Sequence, residues 1–151
     1  MKTLYIGFRG KNNTSSQIVN QLGEDILLLT NSFSGLEKDI LSITESYDSI
    51  YIFGVDSSLK GTLRIEKFAE FNGITVSSVY DVAQLSKIMD GYGIVNSISN
   101  VPTQYLCNAA YYHMLCINKN AVFIHVPSIK GMNDALMDRL LTLFRKIPFD
   151  T

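Results

Sequence analysis

The chain has 151 residues, 46% hydrophobic and 18% charged, with a formal net charge of −1. That length and balance suit one domain, residues 1–151, with a single sizeable core, and they exclude a disordered chain. The near-neutral charge supplies no basic field, which argues against nucleic acid or an acidic membrane as partner, and no apolar run approaches the length that spans a bilayer.

Residues 3–8 predict a first strand. The chain starts with a basic residue, but its apolar segment is short and breaks at Arg9, so it does not read as a signal peptide. With two cysteines and no export signal, the expected compartment is a reducing cytoplasm. The sequons at Asn12 and Asn13 then carry no meaning. After a polar loop, Thr14 or Ser15 can cap a helix bearing Ile18, Val19 and Leu22 on one face. Residues 26–29 predict a second strand, and Ser32 or Ser34 opens a helix with Leu36, Ile40 and Ile43 as its stripe. Residues 49–54 predict a third strand ending on a glycine.

The stretch from Val55 to Gly73 has no clear period; Ser57 and Ser58 suggest loop, and residues 67–71 are ambiguous. Residues 74–76 are strand-like, and Val82, Leu85, Ile88 and Met89 predict a helix that Gly91 and Gly93 end. Residues 94–98 predict a strand, 105–117 a helix and 121–126 a strand. A last helix carries Met132, Leu136, Leu140 and Phe144, with Pro148 as its stop. Strands alternating with helices imply a mostly parallel sheet covered on both faces, a three-layer α/β/α sandwich. Ligands in such folds collect beyond the carboxyl ends of the strands, which here follow Phe8, Gly54, Ile98 and Val126.

One of those ends carries the unusual residue. Ala121–Val126 is apolar enough to be buried, yet it contains His125. Cys107 lies in the first turn of the preceding helix, because Pro102 and its neighbours cannot be helix interior. The unpaired amides of a first turn favour a thiolate. A thiol and an imidazole on adjacent elements can form a nucleophile without any cofactor. His113 cannot serve, since six residues along one helix turn it about 240° from Cys107. Cys116, late in the same helix, reads as packing. Nine residues separate the cysteines, about 13.5 Å along a helix axis, so both thiols should be free. A carboxylate should orient the imidazole; Asp56, Glu66, Glu70 and Asp81 are the candidates, and spacing does not choose among them. Two histidines and two cysteines show no metal-ligand spacing.

The blocks Pro102–Asn108 with Tyr111 and Tyr112, and Ala121–Pro127, resemble the cysteine and histidine motifs of pyroglutamyl peptidase I (pyrrolidone-carboxylate peptidase). Weaker similarities follow in the same order: Gly7 and Phe8, Asn13 to Ser15 at a helix start, and Arg64 to Phe68 around an acidic residue. The resemblance implies Cys107 as nucleophile, His125 as general base and acid, and Glu66 as orienting carboxylate. It implies Phe8 as an apolar wall against a lactam ring, and Asn13 as a residue that holds the loop or meets substrate. The implied reaction removes N-terminal pyroglutamate from a peptide or a related small amide, without a cofactor, in a homo-oligomer.

The chain departs from the family pattern in a shorter N-terminal loop and in Val55 and Asp56 where the family has a lactam-reading glutamine. It also lacks a long arginine-bearing insertion after the acidic segment. Two alternatives follow: a relative with lost or altered amidase activity, and a flavodoxin-like module using the loop Gly10–Ser16 to hold a phosphate. That loop matches neither the dinucleotide fingerprint nor the P-loop pattern.

Overall fold

Thr3–Phe8 (β1) alternates its side chains between two apolar environments, and that alternation builds the core. A computed structural model describes residues 2–23 and 25–146; the helix stop expected at Pro148 lies outside them. In chain order β1 is followed by α1 (Thr14–Leu22), β2 (Ile26–Leu29), α2 (Phe33–Leu41), β3 (Ser49–Val55), β4 (Leu63–Glu66), β5 (Phe68–Phe71) and β6 (Ile74–Ser77). Then come α3 (Val82–Gly91), β7 (Asn96–Ser99), α4 (Tyr105–Ile117), β8 (Ala121–Val126) and α5 (Asp134–Phe144).

Six strands form one sheet in the order β2-β1-β3-β8-β4-β7, parallel except where β4 runs against β8. On one face Tyr5, Tyr51, Phe53, Ile65 and Ile124 pack with side chains of α1, α3 and α5. On the other, Leu4, Ile6, Ile50, Ile52 and Phe123 pack with α2 and α4. The three-layer α/β/α sandwich with a mostly parallel sheet is therefore the observed fold. Among the described residues no helix is long and apolar enough to cross a membrane.

Helix starts follow local chemistry. Asn13, Ser32, Asp81 and Asn133 each accept a backbone N–H and cap α1, α2, α3 and α5. Asn13 thus takes the role expected of Thr14 or Ser15, and Met132 precedes the last helix instead of beginning its stripe. The segment without a clear period contains two strands. In β4, Leu63 and Ile65 point to one face while Arg64 and Glu66 point to the other, so half of a buried strand is charged. β5 pairs antiparallel with β6 in a separate two-stranded sheet, so residues 74–76 do not join the main one. Its turn is Asn72 and Gly73, both at positive φ (50° and 78°); Asn-Gly is a strong hairpin signal, hidden here by the Lys and Glu residues around it.

Candidate active site

The register of three strands assembles the site. Gly54 of β3 pairs with His125 of β8, and His125 pairs with Arg64 of β4. The adjacent row on the same face is Ile52, Phe123 and Glu66. Neighbouring strands lie about 4.8 Å apart, so His125, Arg64 and Glu66 are forced together beneath α4.

From above, α4 brings Cys107. A Cβ placed on Gly54 would lie 2.9 Å from Cys107 Sγ and 2.5 Å from the Phe123 ring. Glycine is required here because the Phe123 ring and the thiol together occupy the volume a side chain would fill, one strand away from His125. Gly54→Ala is expected to destabilise the fold by about 1–3 kcal/mol through overpacking. A denaturant midpoint equal to wild type would show that Sγ does not occupy this seat.

Cys107 and His125 line one cavity of about 530 Å³ at the carboxyl ends of β3 and β8, with Asp56, Arg64, Gln104 and Tyr105. Glu66 lies beneath it, 1% exposed. Its Oε1 accepts from Arg64 Nε at 2.8 Å and lies 3.5 Å from His125 Nε2. That second approach lacks hydrogen-bond geometry: both ring nitrogens of His125, and Glu66 Oε2, are buried without a hydrogen-bond partner among the described residues. Arg64 Nη2 donates to Asp56 Oδ2 at 2.8 Å, and Asp56 Oδ1 accepts from the amide and hydroxyl of Ser58.

Burial dominates the protonation states. It pushes the Cys107 thiol up to about 12, helped by the Asp56 and Glu66 charges and opposed by Arg64. It pushes His125 down to about 4, with Arg64 adding to the effect and Asp56 opposing it. Glu66 is raised by burial against the pull of Arg64. For Asp56 burial acts upward too, but Ser58 and Arg64 outweigh it and hold the carboxyl down to about 2. The resting pair is thus a neutral thiol and a neutral imidazole. The acidified thiol expected from a first-turn position is overruled by desolvation.

Of the four candidate carboxylates, Glu66 and Asp56 reach this cluster. Glu70 lies on the hairpin, where its backbone is bonded to the Asn108 side chain, and Asp81 caps α3. His113 faces Glu37 and Phe71 instead. Both cysteines are free, but Cys116 is exposed and does not pack as expected. Phe8 is 4% exposed within the core under α2 and α4 and does not line the cavity. Asn13 accepts from Ser15, and the Asn13 amide donates to Gly10, so this loop is closed on itself. Arg64 joins the site without being among the residues expected from the sequence; the alternation from Leu63 to Glu66, which puts it on the face of Glu66, is the signal that marks it.

The start of α4 differs from that of every other described helix. No side chain caps it, and Tyr105 sits at φ 68°. First-turn N–H groups have no intrahelical partner, and those around Cys107 adjoin the cavity.

An α/β/α sandwich whose strand-end cavity is lined by a cysteine and a histidine defines the class of protein. More particularly, its fold is that of the pyrrolidone carboxyl peptidases. The enzyme from Thermus thermophilus superposes with a TM-score of 0.76 at 15% identity, over 95% of this chain and 97% of that one. A mutant of the Pyrococcus furiosus enzyme gives 0.76 at 21% identity, over 96% of each chain. The Thermococcus litoralis enzyme gives 0.73 at 17%, over 96% of this chain and 91% of that one. No protein-family model and no curated protein matches the sequence.

Proposed function

We propose that this protein is a cysteine peptidase that removes N-terminal pyroglutamate, with Cys107 as nucleophile, His125 as general base and acid, and Glu66 as orienting carboxylate. The observation that carries this reading is the seat of Cys107 Sγ over Gly54, the register partner of His125, within the pyrrolidone carboxyl peptidase fold. Attack begins with the thiol proton passing to a ring nitrogen of neutral His125 as sulfur bonds to the pyroglutamyl carbonyl carbon. The carbonyl oxygen becomes an oxyanion, for which the uncapped amides at the start of α4 are the nearest fixed donors. The C–N bond then breaks, and His125 returns the proton to the departing amine. Water, deprotonated by His125, cleaves the thioester and restores the thiol. Glu66 stabilises the imidazolium formed in each half-reaction.

The resting pair is uncharged: a thiol held near 12 does not ionise alone, and an imidazole held near 4 is unprotonated but a weak base. Proton transfer between them is therefore uphill in the resting site and has to be coupled to sulfur–carbon bond formation and to stabilisation of the imidazolium and oxyanion. The homo-oligomer and the cytoplasmic setting belong to the same proposal.

The test is turnover of a pyroglutamyl amide with a fluorescent amine, compared with the matching prolyl amide. Release from the first, and at least about tenfold less from the second, is the expected result, because the uncharged lactam nitrogen costs less to desolvate in the cavity than a prolyl ammonium. Equal release would remove pyroglutamate specificity. No release from either would remove the peptidase reading.

A further inference from the structure

Arg64 and Asp56 are charged residues of this site that the reaction above leaves without a task, and of the two Arg64 is the one bonded to Glu66. It comes from the antiparallel strand β4, whose register sets it directly beside His125. Its guanidinium spans two carboxylates, with Nε on Glu66 Oε1 and Nη2 on Asp56 Oδ2, each at 2.8 Å. Asp56 is itself fixed, because its other oxygen holds the amide and hydroxyl of Ser58 in the turn that leaves β3. A chain of bonded groups therefore runs from the exposed Ser58 to Glu66, and Glu66 Oε1 is the atom that approaches His125 Nε2.

We propose that Arg64 is a positioning residue: anchored by Asp56, its guanidinium fixes the Glu66 carboxylate beside the His125 ring. The proposal rests on the assignment of Glu66 and His125 to the reaction.

Three physical arguments support it. A carboxylate this buried is costly to ionise without a partner, and Arg64 is the cation bonded to it. The hold is geometric as well as electrostatic, since a planar guanidinium presents Nε and Nη2 at a fixed separation that matches two acceptors, whereas an ammonium is a single point charge. Lastly, Glu66 Oε1 is shared: it is bonded to Arg64 and only near His125. Arg64 thus keeps the carboxylate in place while His125 is neutral; the His125 nitrogens and Glu66 Oε2 make no well-formed hydrogen bond, although the Gly54 backbone lies close to the ring and Ser99 close to the carboxylate. The charged and titratable groups around the ring and Glu66 are Asp56 after β3, Arg64 on β4, and Cys107 and Tyr111 on α4. Among them Arg64 alone carries positive charge when His125 is neutral.

The test measures the titration of the Glu66 side chain by carboxyl ¹³C NMR, assigned with Glu66→Gln, together with kcat/KM on the pyroglutamyl amide. In Arg64→Met the Glu66 midpoint should move upward by about one pH unit or more, and kcat/KM at neutral pH should fall by about tenfold or more. Arg64→Lys keeps the buried charge, and so serves where the methionine variant does not fold. Its Glu66 midpoint should stay closer to wild type while kcat/KM remains reduced, because lysine does not span both carboxylates. An unmoved Glu66 midpoint in Arg64→Met overturns the proposal even if activity falls, since that pattern is a general structural loss. Wild-type kcat/KM in Arg64→Lys overturns the geometric hold. The NMR readout does not depend on turnover: a shifted midpoint in a protein that never cleaves the amide supports the hold of Arg64 on Glu66 while removing the peptidase reading.

Discussion

Cys107→Ala is expected to lower kcat/KM on a pyroglutamyl amide by at least about 10³-fold, the scale of losing a covalent nucleophile. Cys116→Ser should leave it unchanged. The two thiols share a helix and differ in everything that bears on reactivity. Cys107 sits in the first turn of α4, seated over Gly54 and lining the cavity, whereas Cys116 is exposed near the far end. The alanine variant removes one sulfur from its seat over Gly54, so its melting temperature should stay near wild type and the loss can be read as chemistry. Alkylation by iodoacetamide offers a second check. Because burial holds the Cys107 thiol near 12, the resting protein should react at neutral pH mainly through Cys116, and Cys116→Ser should abolish most of that labelling. Rapid neutral-pH labelling of Cys107 would contradict the neutral resting pair, and retained turnover in Cys107→Ala would end the thiol mechanism.

The parts of this site legible in the sequence are those set by local rules. The apolar run around His125 announces a buried strand, and Pro102 fixes where α4 can begin, so Cys107 falls in a first turn. Because α4 and β8 are consecutive, their neighbourhood follows from chain order. The other half of the site comes from β4, where those rules give out. Arg64 and Glu66 occupy alternate positions of a strand that is buried, and a half-charged segment of four residues resembles a loop unless the opposing Leu63 and Ile65 are weighed. The pairing of Arg64 with His125 spans 61 residues and reverses the strand direction, and no local propensity encodes that. Glu66 is one of four candidate carboxylates that spacing does not separate, the resemblance singles it out, and its distance to His125 is a consequence of register. At the N-terminal loop the structure places Phe8 in the core, and Asn13 caps α1 and holds its loop, the first of the two roles the resemblance implies for it.

His125→Asn should change both catalysis and the pH dependence of stability, and the second effect has a definite sign. Loss of the general base should lower kcat/KM by about 10²–10⁴-fold. For stability, the His125 value in the folded protein, about 4, lies below its ordinary 6.5. Between these values the unfolded chain binds the proton and the folded chain does not. The stabilising contribution is therefore complete above pH 6.5 and is lost as pH falls toward 4, with a size on the order of 3 kcal/mol. Glu66 acts the other way, because its raised folded value lets the folded state bind a proton before the unfolded chain does as pH falls. Asp56, held at about 2, adds to the loss only below its ordinary value of 3.8. Wild type should thus lose stability on acidification from pH 7 to 4.5, by less than the His125 contribution alone. His125→Asn removes the unfavourable partner and keeps the favourable one, so its denaturation free energy should be flatter, or rise, over the same interval. Urea titrations of both proteins at pH 7 and 4.5 decide the matter. Parallel losses in the two would mean that the acid sensitivity arises elsewhere, and that the imidazole is not held neutral beside Glu66.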